Sequence, residues 1–436
     1  MSRPSQLPTL ALLMTGSELM SGDITDTNSA FISEQLLAYG IETKEKVTVG
    51  DELPLLAEQI TRLTRTYDML LINGGLGPTQ DDLTAQVLAS CAGLELVEHP
   101  AAKAHVLAWC EQRGFAANQA NLKQALLPQG CEIFADAPGS APAFYLTING
   151  CLVIATPGVP SELKQILRRQ ILPYMQTHFS CQQASPWQRF LLFGIGESRL
   201  QQLLDEKLPA VKTVLDIGFR AAFPYVELKF KPQQGQPPAA ISEARTALLQ
   251  EVGDYWLGEQ CTQMADSLVQ ALLSAGATVS CAESCTGGLI ASEITRIAGA
   301  SAVFPGSIVS YSNSMKEQLL GVPAELLAQH GAVSEATVTA MLKGLLQRTG
   351  TNYGIAVSGI AGPGGGSEEK PVGTVWIAWG NQTQQHSICL MIRFERRLFQ
   401  ELVATISMDL VRRQLRGATK PPAYLQRWLA QSPARL

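Results

Sequence analysis

Three side chains able to act as nucleophiles stand in a row at Ser284, Cys285 and Thr286, inside Ala282-Glu283-Ser284-Cys285-Thr286-Gly287-Gly288. The run falls between a strand-like Thr278 to Cys281 and a helix-like segment beginning near Leu289. Its N–H groups therefore point into a helix N-terminus, a place that suits an oxyanion or a phosphate. Gly287 and Gly288 permit close approach of a ligand to the backbone. An N-capping turn would use the same residues, and the run alone does not decide between the two. Downstream, Tyr311-Ser312-Asn313-Ser314-Met315-Lys316 follows another strand end, where a desolvated Lys316 would serve as general base toward a serine hydroxyl. This third of the chain holds only His330 and His386, neither in a motif-like setting, so a Ser/Lys dyad is the economical nucleophilic arrangement. A plain surface cation is the alternative for Lys316. The Gly-rich stretch from Val357 to Gly373, with Gly362 and Gly364 at its centre, can wrap a phosphate through backbone donors or simply connect two strands.

A second cluster lies near the other end of the chain. Gly74-Gly75-Leu76-Gly77-Pro78-Thr79 closes the apolar run Met69 to Ile72, and Asp81, Asp82 and Thr84 follow at once. Hard oxygen ligands beside a glycine loop suit Mg²⁺ carried on a phosphate. An acidic pair at a helix start is also an ordinary cap, and its place after the glycine loop is what favours a site. Thr15-Gly16-Ser17-Glu18-Leu19 after the first strand and Asp26-Thr27-Asn28 before the next helix add a buriable Glu18 and an Asn28 able to cap. Leu152 to Ala155, then Thr156-Pro157-Gly158-Val159-Pro160-Ser161-Glu162, repeats the order of buried strand, Pro/Gly turn and helix. Two loops at the carboxyl ends of strands can thus converge on one pocket.

The elements that must position these residues follow a βαβ rhythm in both outer thirds of the chain. In the first, strand-like Leu10 to Met14 and Ile41 to Val49 alternate with helix-like Asn28 to Tyr39 and Leu53 to Thr66. In the last, helix Met264 to Ser274, capped by Gly276, opens a unit with strands at Val303 to Tyr311, Tyr353 to Ile360, Gly373 to Trp379 and Ser387 to Ile392, and a final helix from Leu398 to Arg413. Between them, strands at Arg189 to Phe193, Thr213 to Ile217 and Tyr225 to Phe230 make a small α+β module. The expected fold class is α/β: two three-layer α/β domains, 1–174 and 260–417, joined by an α+β module, 175–259, with a loosely ordered tail, 418–436.

At 436 residues the chain exceeds one ordinary core, and 46% hydrophobic against 16% charged residues excludes long disordered stretches. The net charge of −5 comes without a basic footprint for nucleic acid; Arg393, Arg396 and Arg397 read as a solvated face or, second to that, a local anion contact. Nine scattered Cys, no apolar run of membrane-spanning length and no signal-peptide core lead to the expectation of a cytoplasmic protein with reduced thiols.

The ordered set Ala-Glu-Ser-Cys-Thr-Gly-Gly, Tyr-Ser-Asn, His330-Gly331-Ala332-Val333-Ser334-Glu335, Ser-Gly-Ile-Ala-Gly-Pro and Lys-Pro-Val-Gly-Thr-Val resembles the CinA C-terminal family over about Thr262 to Arg413. The resemblance implies a nicotinamide mononucleotide deamidase without cofactor, Ser284 the nucleophile and Lys316 the base. It implies oxyanion or substrate contacts from Cys285, Thr286, Gly287, Gly288, Tyr311, Asn313, Gly362, Gly364 and Arg396. Where that family usually shows Gly-Asp-Arg before the last helix, this chain has Phe394-Glu395-Arg396. From about Leu10 to Tyr174 the chain resembles the molybdopterin-binding-like domain of CinA proteins, and from about Met175 to Glu259 their KH-like linker, though without a Gly-x-x-Gly loop for RNA. That implies ADP-ribose hydrolysis to AMP and ribose 5-phosphate with a divalent cation, Mg²⁺ or Co²⁺, helped by K⁺. The implied site comprises Glu18, Asn28, Gly74, Gly75, Gly77, Thr79, Asp81, Asp82, Thr84, Pro157, Gly158 and Glu162, with Asp81 and Asp82 as metal or water-orienting groups. A homodimer is expected, with no nucleic-acid or membrane partner. The competing readings are a non-catalytic competence- or damage-related regulator and a molybdopterin-binding enzyme.

Overall fold

The computed structural model describes residues 7–134, 137–179 and 187–429. The chain forms two compact units, residues 1–186 and 187–436. The strands of the first are Leu10–Thr15 (β1), Thr43–Val49 (β2), Met69–Asn73 (β3), Leu96–Glu98 (β4), Leu126–Pro128 (β5), Glu132–Ile133 (β6), Phe144–Ile148 (β7) and Cys151–Thr156 (β8). Six of them make one sheet in the order β2-β1-β3-β8-β7-β6, while β4 and β5 pair separately. β1 runs parallel to β2 and β3, and β3 parallel to β8.

Alternate side chains of a strand face opposite ways. β1 accordingly sends Leu10, Leu12 and Met14 into one apolar cluster and Ala11 and Leu13 into another. Helices Asn28–Leu37 and Pro160–Ile166 cover the first face with Ile32, Leu36, Leu163 and Ile166; Leu53–Thr66 and Thr84–Ala92 cover the second with Leu56, Ile60, Val87 and Leu88. The result is three layers. From β1 the chain passes to β2 on one side and later to β3 on the other, so the carboxyl end of β1, at Thr15, is a switch point where such sheets leave a crevice.

The second unit begins with Gln188–Phe193 (β9), Leu215–Ala222 (β10) and Tyr225–Pro232 (β11), an antiparallel sheet in the order β10-β11-β9. Helices Glu197–Lys207 and Pro238–Val252 back it with Leu200, Leu204 and Leu248. Then come Val279–Glu283 (β12), Gly306–Val309 (β13), Tyr353–Gly359 (β14), Thr374–Gly380 (β15) and Gln385–Met391 (β16), in the order β13-β12-β14-β15-β16. β12 is parallel to both neighbours, which makes its carboxyl end a second switch point. Helices Met264–Ala275 and Arg396–Leu415 cover one face, and Glu335–Thr349 covers the other. Among the described residues no helix is long and apolar enough to cross a membrane.

The structure departs from the sequence reading in three places. Val211–Thr213 is a 3-10 turn, and the strand expected there starts at Leu215. The strand expected over Val303 to Tyr311 shrinks to Gly306–Val309, because Ser310 and Tyr311 turn their carbonyls toward Lys316 instead of a neighbouring strand. The tail is not loose over its described part: Tyr424, Leu425 and Trp428 are buried in the core, and the Tyr424 hydroxyl donates to Asp409 Oδ2 at 2.8 Å. Residues 430–436 of the expected tail lie outside the described residues.

Candidate functional site

Ser284 directly follows β12, and its N–H still donates to the Val357 carbonyl of β14 at 3.1 Å, which anchors its backbone to the sheet. Lys316 lies on helix Asn313–Leu320, whose N-cap Ser312 hydroxyl accepts from Met315 N at 3.2 Å. Its Nζ sits 3.0 Å from Ser284 Oγ, 2.8 Å from the Ser310 carbonyl and 3.2 Å from the Tyr311 carbonyl. Carbonyls only accept, so two N–H groups of the amine are committed to them. In the ammonium form the third N–H points at Ser284; once deprotonated, the amine turns its lone pair there and the serine hydroxyl donates to it. Lys316 is 1% exposed, and burial holds its pKa below the ordinary lysine value. The helix can seat so deeply because Gly344 faces it: a Cβ at Gly344 would lie 1.8 Å from the Leu320 carbonyl oxygen.

The turn after Ser284 is held by a residue the sequence reading did not single out. The buried Glu283 carboxylate accepts N–H groups from Gly288 at 3.0 Å, Ile290 at 3.0 Å and Ala291 at 2.9 Å, and the Ser307 hydroxyl at 3.3 Å. A carboxylate at the end of a strand, just before a helix, was the available signal. This corrects the oxyanion assignment. The Gly288 N–H is spent on Glu283, and the Gly287 N–H donates to the Ser284 carbonyl at 3.1 Å. The backbone N–H groups of Cys285 and Thr286 take no acceptor among the described residues, and neither does the buried Thr286 hydroxyl. Gly287 and Gly288 are needed for their φ of 63° and 99° instead.

Burial pushes the Cys285 thiol up to about 12, so it stays protonated and weakly nucleophilic. Its carbonyl accepts from Gln400 Nε2 at 2.7 Å, a second tie the sequence did not reveal. Arg396 is exposed, and it donates to the Gly362 carbonyl at 2.8 Å and to the Tyr311 hydroxyl at 2.9 Å, bracketing the rim of the site. Arg397 instead pairs with Glu401. The Phe394 ring meets Phe223, at the turn between β10 and β11, edge-on with centroids 5.5 Å apart, which gives the altered turn a packing role. Asn313 and Gly364 are exposed, and no hydrogen bond joins either to the dyad among the described residues.

In the first unit a cavity of about 500 Å³ opens at the end of β1 and gathers Glu18, Asn28, Gly74, Gly75, Gly77, Thr79, Asp81, Asp82, Pro157, Gly158 and Glu162. Thr84 stands beneath it, buried, its hydroxyl donating to the Gly74 carbonyl at 2.8 Å. The N–H groups of Gly75, Leu76 and Gly77 take no acceptor among the described residues, as an anion cradle requires. Glu18 is exposed rather than buried, and Asn28 braces loops rather than capping its helix; the Ser29 N–H is taken by Asp26 at 2.9 Å.

Asp82 is a brace as well: its Oδ2 accepts Thr79 N at 2.8 Å and Thr79 Oγ1 at 2.6 Å. Lys123, unnoticed in the sequence, donates to the Thr79 carbonyl and to the Asp82 carbonyl at 3.0 Å. Asp81 stays exposed. Among the described residues no three His, Cys, Asp or Glu side chains gather as a metal cage. Glu162 is half-buried, and desolvation raises its pKa.

Comparison with known proteins finds one family profile in each unit. The CinA C-terminal domain profile matches residues 261–415, and the profile described as "Probable molybdopterin binding domain" matches residues 11–177. A CinA-like protein of Colwellia psychrerythraea is 46% identical over 421 residues, 96% of this chain and 98% of its own length. Another, of Shewanella woodyi, is 37% identical over 409 residues, 94% of this chain and 96% of its own. Among solved structures, the competence/damage inducible protein CihA from Agrobacterium tumefaciens is 39% identical, covering 35% of this chain and 93% of its own, with a TM-score of 0.34. With a relative aligned almost end to end and both units matched, the chain belongs to the CinA family, joining a molybdopterin-binding-like domain to a CinA C-terminal domain.

Proposed function

We propose that the second unit is a serine amidohydrolase that deamidates nicotinamide mononucleotide. The observation that carries the reading is the buried amine of Lys316, fixed by two carbonyls with its remaining position on Ser284 Oγ. Ser284 gives its proton to Lys316 and attacks the carboxamide carbon. The tetrahedral oxyanion is held by the N–H groups of Cys285 and Thr286, contacts worth roughly 3 kcal/mol each in such sites. Lys316 returns the proton to the leaving nitrogen, ammonia departs, and a Ser284 ester remains. Water, deprotonated by Lys316, cleaves that ester to nicotinic acid mononucleotide. Arg396, Tyr311 and the loop through Gly362 form the rim that receives the nucleotide. The direct test is stoichiometry: one ammonia and one nicotinic acid mononucleotide per substrate consumed supports the reading, and no ammonia contradicts it.

For the first unit the proposal is hydrolysis of ADP-ribose at its pyrophosphate, supported by the free N–H groups of Gly75, Leu76 and Gly77 facing a cavity large enough for a nucleotide. A divalent cation would neutralise the phosphates, with Asp81 as the carboxylate free to hold it and Asp82 retained by Thr79. A cytoplasmic homodimer completes the proposal.

A further inference from the structure

Two aromatic rings meet beside the second unit's site without belonging to its core. Phe223 and Phe394 are 44% and 41% exposed, and they pack edge-on with centroids 5.5 Å apart. Their contact joins the tip of the β10–β11 hairpin to the turn that leads from β16 into helix Arg396–Leu415. The hairpin side is fixed. Ala222 pairs with Tyr225, which puts Phe223 and Pro224 at the tip. The Tyr225 hydroxyl accepts the Met264 N–H at 2.9 Å, and its ring stands edge-on to Phe193 at 6.0 Å.

The turn that Phe223 meets has few ties of its own. Ile392 N donates to the Gly373 carbonyl at 2.8 Å, and helix bonding begins with Phe399 N on the Glu395 carbonyl at 2.8 Å. Glu395 occupies the N-cap position, yet its side chain caps none of the helix N–H groups, the task that short Ser, Thr, Asp and Asn side chains perform. An apolar residue just before the cap commonly fixes the angle of entry by packing on the second turn of its own helix. Here that second-turn residue, Phe399, is fully buried in the core, and the Phe394 ring takes Phe223 as its partner instead.

Arg396 is the first residue of this helix, so the anchor of the turn sets where its side chain starts. Its guanidinium bonds only neutral groups, the Gly362 carbonyl and the Tyr311 hydroxyl. Among the described residues no carboxylate pairs with it, whereas the adjacent Arg397 takes Glu401. Against the burial that raises the Cys285 thiol, the Arg396 charge pulls the other way, so it stands within electrostatic reach of the residue beside Ser284. An uncompensated guanidinium with donors to spare suits the phosphate of a nucleotide. We infer that Phe223 is a positioning residue of the deamidase site: through Phe394 it fixes the entry of helix Arg396–Leu415 and aims Arg396 at the phosphate of nicotinamide mononucleotide. The α+β module thereby serves the second unit's reaction. The inference rests on the deamidase reading and deepens it by naming the element that sets affinity for the phosphorylated substrate.

The test is steady-state ammonia release from nicotinamide mononucleotide by the full-length protein, for wild type, Phe223→Ala, Phe223→Tyr, Arg396→Ala and the double variant combining Phe223→Ala with Arg396→Ala. Phe223→Ala should raise KM about fivefold, the loss of one aromatic pair, with kcat kept. Phe223→Tyr keeps the ring and should restore KM. In the Arg396→Ala background, Phe223→Ala should lower kcat/KM no further, because the two act as one unit. An unchanged KM in Phe223→Ala, a loss confined to kcat, no rescue by Phe223→Tyr, or an undiminished loss in the absence of Arg396 overturns the inference and leaves the deamidase reading standing. A wild type that releases no ammonia overturns both.

Discussion

The proposed chemistry rests on Lys316 because that amine is costly to bury. The fold withdraws an amine from water, and that desolvation favours the neutral base even though two carbonyls and a serine surround it. The folded protein therefore holds fewer protons on Lys316 than the unfolded chain does between the depressed value and the ordinary lysine value. The stability penalty is full below that window and fades as pH rises through it. Lys316→Met should thus gain most on wild type at low pH and lose that advantage toward alkaline pH, measured by denaturant titrations across the range. The same substitution should lower deamidation by about 10²–10⁴-fold. For wild type, kcat/KM should rise with pH along a limb lying below the ordinary lysine value; a limb at that value would mean an exposed, unperturbed amine.

At the scale of elements, the Lys316 helix owes its position to a glycine on another helix. Gly344→Ala should cost about 1–3 kcal/mol through overpacking against Leu320 and lower the deamidation rate in parallel, read from melting and kinetics on the same sample. A loss of stability with an unchanged rate would separate the helix contact from the site. The spacing of Ser284 and Lys316, and their places after two strand ends, were legible in the sequence. The division of labour within the turn was not: which N–H groups remain free depends on the helix folding back onto Glu283, and a one-dimensional motif does not show that. The bond between Asp82 and Thr79 was hidden for the same reason, since only the folded loop brings the two together.

For the whole molecule, the proposal assigns two separate chemistries to two separate switch points and a metal to the first. A chelator should abolish ADP-ribose hydrolysis and leave ammonia release from nicotinamide mononucleotide unchanged, assayed on one preparation. The βαβ rhythm made both α/β layers readable, because strands buried on both faces appear as apolar runs. The tail was misread: Tyr424, Leu425 and Trp428 stand at helical spacing, yet so short a segment acquires order only by docking on the core. Trp428→Ala should accordingly destabilise the second unit by about 3 kcal/mol in thermal or denaturant unfolding.

The most direct measurement is ammonia release from nicotinamide mononucleotide, with chelator present, by wild type, Ser284→Ala, Lys316→Ala and Cys285→Ala. The account predicts activity in wild type and Cys285→Ala and its loss in the serine and lysine variants. Activity that survives in Ser284→Ala but vanishes in Cys285→Ala would contradict it.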